Sequence, residues 1–406
     1  MTNSQNRTIW ILILSSSLIL AITMGVRQSL GLFIAPINSS TSLDIISISL
    51  ALAIGQFIWG LTQPIFGAIA DKKGSFGVLA FGALLMFFGL ILTPFLTSEF
   101  SIILTLGLLV AAGAGAGSFS ILIGATAKNL PNEKRSFAGG FINAGGSFGQ
   151  FIFAPLAQAI INGFGWIYSM IALAFSTLLT IPLAKILSSK SKKEETNLTN
   201  LTNVIENDIK LKEQLKVALK DKSYLYLNLG FFTCGFHVAF LVTHLPHEVA
   251  LCGHSANVSA YSLALIGLFN IFGSLYAGYL GTKYKMKYIL AFIYSSRALM
   301  IIIYLLSPKT ELTFYIFSIA IGFTWLATVP PTAGIVGKLF GTKYLATLFG
   351  LTLLSHQIGG FFGAYLGGLF INSYGNFSLM WYLDIFLAIV AALANLPIKE
   401  EKINKN

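Results

Sequence analysis

IWILILSSSLILAITMGVRQSLGLFIAPI, residues 9–37, is an apolar run interrupted by a single charge, Arg27. A helix crosses the hydrocarbon core of a bilayer with about 20 predominantly apolar residues, so this stretch is long enough to span it. Its length, and the lack of a small-residue cleavage pattern behind a basic start, separate it from a cleaved secretion signal. Eleven stretches of the same kind follow, divided by turn residues or charges, and the expected spans are 8–36, 44–70, 75–97, 100–128, 134–160, 163–187, 223–249, 257–281, 287–307, 311–338, 343–371 and 376–397. Of the 406 residues 55% are hydrophobic and 10% charged, and the mean hydropathy is +0.77. No soluble domain hides that much apolar surface from water, so lipid is the expected solvent. The short alternating strands of a membrane barrel are absent from the sequence. The expected fold class is an all-α polytopic membrane protein of twelve transmembrane helices.

The formal charge of +11 raises nucleic acid as a partner, and the placement of the 26 Lys and Arg residues answers it. Arg7, Lys72/Lys73, Lys134/Arg135, nine lysines from Lys185 to Lys222, Lys283, Lys285, Lys287, Lys338, Lys343 and the tail lysines all fall on one side of the span model. Lys309 falls on the other side, and Arg27 and Arg297 fall inside spans. Such asymmetry is a topology signal and places both termini and the central segment in the cytoplasm, with the chain multi-pass in a cell (inner) membrane. No nucleic-acid partner is expected, because the basic residues do not share a soluble surface with stacking aromatics. Cys234 and Cys252 form no Cys-x-x-Cys and no bridge framework.

Residues 188–222 interrupt the apolar pattern with Ser, Lys, Glu, Asn and Thr and divide six spans from six. The expected organisation is a bundle over 1–187, a cytoplasmic linker over 188–222 with an amphipathic part from Val204 to Leu219, and a second bundle over 223–406. The halves read as repeats. Gly25-Val-Arg-Gln-Ser-Leu-Gly-Leu-Phe-Ile-Ala-Pro36 has a counterpart in Gly235-Phe-His-Val-Ala-Phe-Leu-Val-Thr-His-Leu-Pro246. Gly67-Ala-Ile-Ala-Asp-Lys-Lys-Gly74 likewise answers to Gly278-Tyr-Leu-Gly-Thr-Lys-Tyr284, at 42 and 43 residues from the first landmark of each half. Two landmarks repeated in order point to two pseudo-symmetric six-helix bundles, a known transporter plan.

The Gly67-x-x-x-Asp71-Lys72-Lys73-Gly74 segment resembles the loop 2–3 signature of the major facilitator superfamily. The resemblance implies the major facilitator fold and a gating latch made of Gly67, Asp71, Lys72, Lys73 and Gly74, in which the Asp caps a neighbouring helix and the basic residues bind helix ends. In the second copy Thr282 replaces the Asp, which implies a weaker latch there. Ser29-Leu-Gly-Leu-Phe33, the run Arg135 to Gly149, Phe349-Gly350 and Gly359-Gly360 resemble the monocarboxylate and oxalate/formate branch of that superfamily. The chain departs from the branch at span 8, where Asn270 and Ser274 stand in place of an Asp and an Arg, and at span 1, where Gln28 replaces a Lys beside Arg27. The resemblance implies a monomeric secondary active transporter of a small organic anion, working by alternating access with proton coupling and no cofactor. Proton-antiport efflux of drugs or metabolites, and transport of siderophores or other polar metabolites, are the alternatives on the same fold. Membrane-embedded catalysis is not expected, because no Ser/His pair, paired acids or metal triad shares one depth.

A charge at membrane depth costs at least about 2.5 kcal/mol and so marks a partner, a wet cavity or a function. Arg27, in the middle of span 1, suits a carboxylate clamp through two parallel hydrogen bonds. Gln28, His237 and Asn270 are the further substrate-binding candidates. His237, His244 one pair of turns along the same helix, and Asp384 are the candidates for proton coupling. Arg297 in span 9 and Asp384 in span 12 lie at matching depth and are expected to pair as a structural ion pair. His244, His247 and Glu248 do not amount to a metal site, since Pro246 disturbs the helix and no further ligand is evident.

Overall fold

The computed structural model describes residues 3–95, 98–127, 132–191, 211–341 and 345–400. Every regular element among them is helical. The chain separates into two compact units, Met1–Ile205 and Glu206–Asn406.

The first unit contains α1 (Asn3–Gln28), α2 (Ile34–Ser40), α3 (Ile45–Lys73), α4 (Ser75–Leu92), α5 (Glu99–Ile102), α6 (Ala111–Ala116), α7 (Phe119–Ala127), α8 (Asn132–Phe164), α9 (Trp166–Leu178) and α10 (Thr180–Ser191). A 3-10 turn, Leu30–Phe33, joins α1 to α2, and a π-helical stretch, Ile103–Val110, joins α5 to α6. Asp44 caps α3 by accepting the Ser47 N–H at 2.8 Å, satisfying one of the free donors at the helix start. Gly74, with φ +89°, is the only residue between α3 and α4, a conformation that favours glycine and lets one helix follow the other at once. Leu12, Ile19, Leu122, Ile142, Ala184 and Leu187 meet in the core of this unit.

The second unit contains α11 (Leu211–Ala218), α12 (Lys222–Leu251), α13 (Ala256–Lys283), α14 (Met286–Leu306), α15 (Glu311–Thr324), α16 (Val329–Phe340), α17 (Leu345–Tyr374) and α18 (Ser378–Asn395). Its core gathers Tyr224, Phe231, Tyr294, Ile335, Leu348 and Ala391. Residues 192–210 of the expected linker lie outside the described residues. Helix α11 uses Ala218, and Leu215 beside it, to rest on this core.

Among the described residues eleven helical stretches are long and apolar enough to cross a membrane. The expected twelfth span is α17, thirty residues long, in which His356, Gln357 and six glycines dilute the apolar run. Large apolar side chains face outward from the helices, among them Leu306 at 82% and Phe292 at 73% exposure, as lipid solvation requires.

Candidate functional site

Two spans that occupy corresponding places in the halves, the fourth and the tenth, are broken. In the first unit α6 stops at Ala116 and α7 begins at Phe119, with Thr23 of α1 donating its hydroxyl to the Gly117 carbonyl at 3.2 Å. In the second unit α15 stops at Thr324 and α16 restarts at Val329. Pro330 and Pro331 supply no N–H to the preceding turn, and a residue before proline resists helical geometry, so the helix gives way just upstream. Discontinuous helices at corresponding places in two halves are the best structural pointer to a binding region in a repeat transporter.

Side chains from three other helices satisfy the groups that the second break exposes. Arg297 on α14 donates from Nη2 to the carbonyls of Thr324 and, at 2.5 Å, Trp325, and from Nε to Thr324 Oγ1 at 3.4 Å. Asn270 on α13 accepts the Leu326 N–H at 2.9 Å and the Ser274 hydroxyl at 3.0 Å on the same oxygen. Cys234 on α12 lies 3.2 Å from Thr328 Oγ1. Asn270, expected as a substrate ligand, is thus 1% exposed and engaged in holding the break.

The expected ion pair between Arg297 and Asp384 does not form, because the carbonyls of the break take the guanidinium instead. Asp384, on α18, is fully buried, and neither carboxylate oxygen accepts a hydrogen bond. Its Oδ1 is 3.4 Å from His237 Nε2, which also lies 3.0 Å from the Asp384 backbone oxygen. A carbonyl oxygen only accepts, so His237 carries a proton on Nε2 in that contact. Arg297 Nη1 has no partner, and Arg297 lies within electrostatic reach of both His237 and Asp384. A cation, a carboxylate and an imidazole therefore share one buried region, with one donor, Arg297 Nη1, and three acceptors, both Asp384 carboxylate oxygens and His237 Nδ1, uncommitted. His244 behaves differently: it is 1% exposed, places Nε2 2.7 Å from the Ala364 carbonyl and packs between Phe240 and Phe377, the contacts of a core histidine.

In the first unit Arg27 closes the last turn of α1, where the chain changes to the 3-10 turn. Its guanidinium donates to Gln56 Oε1 and lies 4.0 Å above the Trp59 ring, both on α3. The residue is half-buried and forms no ion pair with a described residue. Neighbouring Gln28 is buried with Oε1 unpartnered, as are both polar atoms of the Gln150 side chain on α8. The region offers one cation with spare donors among neutral hydrogen-bonding groups.

Of the expected latch, Gly67 and the exposed Lys73 lie at the end of α3 and Gly74 forms its cap. The side chains of Asp71 and Lys72, and of Thr282 in the second copy, lie outside the described residues. Sequence reading gave Cys234 and Glu248 no role in the site and did not consider Glu400. Glu248 accepts from Tyr304 Oη at 2.7 Å and Trp381 Nε1 at 3.3 Å. Glu400 accepts the Lys287 N–H at 2.7 Å at the start of α14 and pairs with Lys338 at 2.8 Å. The Pro330-Pro331 pair was the available signal for the break that Cys234 and Arg297 support.

Comparison with known proteins adds a family. The model of the Major Facilitator Superfamily matches residues 16–364. Monocarboxylate transporter 13 of Rattus norvegicus is 24% identical over 395 residues, which cover 96% of this chain and 89% of the relative. The oxalate:formate antiporter of Oxalobacter formigenes is 22% identical over 396 residues, covering 96% and 91%. Among solved structures, a D-xylose-proton symporter superposes with a TM-score of 0.76 at 13% identity, covering 97% of this chain and all of that one.

Proposed function

The chain belongs to the Major Facilitator Superfamily, and from that premise we propose that it moves a small organic anion of the carboxylate class across the membrane by alternating access, coupled to protons. The observation that carries this reading is Arg27. A guanidinium at membrane depth held by an amide and an aromatic face, with no acidic partner among the described residues, has its charge uncompensated there and N–H donors to spare. A carboxylate supplies both needs at once, through two parallel charge-assisted hydrogen bonds, with Gln28 beside it. The carboxylate class is also that of the two named relatives.

Proton coupling falls to the Asp384–His237 pair. A neutral Asp384 leaves Arg297 on the carbonyls of the α15–α16 break; an ionised one competes for the unpartnered Nη1 and loosens that grip. Protonation thereby acts on a discontinuous helix, and the segment Gly67–Gly74 latches one arrangement of the halves.

The test is uptake of labelled mono- and dicarboxylates into vesicles holding the purified chain, with and without an inward proton gradient. Wild type accumulates substrate faster under the gradient. Arg27→Ala lowers the initial rate at least about tenfold, the scale of one lost charge-assisted contact. Asp384→Asn keeps substrate exchange and loses the response to the gradient. No carboxylate transport under any gradient overturns the substrate class, and gradient-driven accumulation by Asp384→Asn removes that residue from coupling.

A further inference from the structure

A cavity of about 640 Å³ opens at the end of the second unit remote from Lys287 and Lys338, between the ends of α12 and α14 and the start of α18. Two opposite charges line it without touching. Glu248, 8% exposed, is fixed in one wall by the Tyr304 hydroxyl and the Trp381 indole, and it forms no ion pair among the described residues. Lys309 stands across from it over the Tyr304 ring at 4.1 Å, close enough for each charge to act on the other. Burial pulls the Lys309 ammonium below its ordinary range and the charge of Glu248 partly restores it. The Lys309 donors go to the carbonyls of Tyr304, Leu305 and Ser307, so towards the cavity it acts as a fixed point charge.

A fixed carboxylate and a fixed ammonium facing one space complement a zwitterion whose charges are several ångströms apart. The rim decides what else that zwitterion carries. Leu306 is 82% exposed and Tyr382 61%, so the mouth continues into apolar surface at the level where helices end and aromatic belts meet lipid head groups. We propose that this cavity binds the head group of a membrane aminophospholipid, its primary ammonium against Glu248 and its phosphate towards Lys309, with the acyl chains along Leu306 and Tyr382. A primary ammonium can donate hydrogen bonds to the held carboxylate, whereas a trimethylammonium cannot. This site is independent of the carboxylate reading above.

The test uses the purified full-length chain, stripped of lipid and titrated with phosphatidylethanolamine, phosphatidylcholine or phosphatidylglycerol of matched acyl chains, with binding read by native mass spectrometry. Wild type takes phosphatidylethanolamine at least about tenfold more tightly than the other two. Glu248→Gln abolishes the preference over phosphatidylcholine and raises binding of the anionic phosphatidylglycerol, because only Lys309 then faces the cavity. Lys309→Gln, which leaves the buried carboxylate and its two donors in place, weakens phosphatidylethanolamine about fivefold or more and decides the matter if Glu248→Gln elutes as aggregate. Equal affinity for the three lipids, or an unchanged preference in a folded variant, overturns the proposal. Free phosphoethanolamine binding as tightly as the lipid overturns the lipid as its source.

Discussion

Glu248 governs the chemistry of a neighbour that is easy to measure. Burial pushes the Cys252 thiol above its ordinary range and the charge of Glu248 pushes it further, while Lys309 pulls it back. The thiolate is the reactive form, so a raised thiol reacts slowly at neutral pH. Removing the negative charge lowers the thiol pKa and enlarges the thiolate fraction. Glu248→Gln should therefore speed maleimide labelling of Cys252 at pH 7 by about two- to tenfold, the effect of a pKa change below one unit. Fully buried Cys234 serves as the slow internal reference. Unchanged or slower labelling would show that Glu248 does not act on this thiol. At the same scale the buried charges were legible, and their partners were not. Arg27, Arg297 and Asp384 announce themselves as charges in apolar runs, but which acceptor captures Arg297 depends on carbonyls that exist only because α15 breaks.

The first and fifth helices of each half cross at glycines, and the matched landmarks of the repeat, Gly25 and Gly235, lie at the two crossings. In the first unit α1 packs along α8, with Gly25 against Gly149 and Phe153, and a Cβ on Gly149 would overlap the Ala21 carbonyl. In the second unit α12 packs along α17, and a Cβ on Gly235 would overlap the His356 carbonyl, as one on Gly359 would overlap that of Phe232. Gly25 and Gly235 are the matched residues of the quoted repeat. Small residues let helix backbones approach closely in lipid, where no hydrophobic drive holds helices together. Gly235→Ala and Gly149→Ala should each cost about 1 to 3 kcal/mol and lower the thermal unfolding midpoint in detergent, because the helix axes must move apart. Gly163→Ala, on α8 with open space around it, should leave the midpoint unchanged or raise it slightly. Equal midpoints for the three variants would refute the close crossing. The spans were thus readable from hydropathy, and Gly25 and Gly235 as matched landmarks of the repeat, while the close crossings they make became visible only in the packed helices. The interruptions at residues 29–33, 103–110 and 117–118 were not readable, since an apolar run looks the same whether its hydrogen bonds follow an α, 3-10 or π pattern, and the break at 325–328 had only the Pro330-Pro331 pair to signal it.

For the molecule as a whole, charge placement makes a claim about orientation that a single helix can test. Helix α14 runs for 21 residues, about 30 Å, from Lys285 at its N-cap to Ser307 at its C-cap. Lys283, Lys285 and Lys287 gather at one end, and Lys309 stands at the other with its ammonium on the last carbonyls of the helix. That contact accounts for the exceptional lysine: a cation at a helix C-terminus satisfies orphan carbonyls and the dipole, so Lys309 is retained for local structure against the topological bias. On the orientation expected from the remaining lysines, Lys285 faces the cytoplasm and Glu311, beside Lys309, the outside. Both positions are exposed. In a Cys252→Ser background, Glu311→Cys should react with a membrane-impermeant maleimide on intact cells, and Lys285→Cys only after the membrane is opened. The reverse pattern would invert the orientation of the chain. Labelling of both from outside would mean that α14 does not cross, and the span count, with the assignment of Glu248 and Lys309 to the level of the lipid head groups, would have to be redrawn.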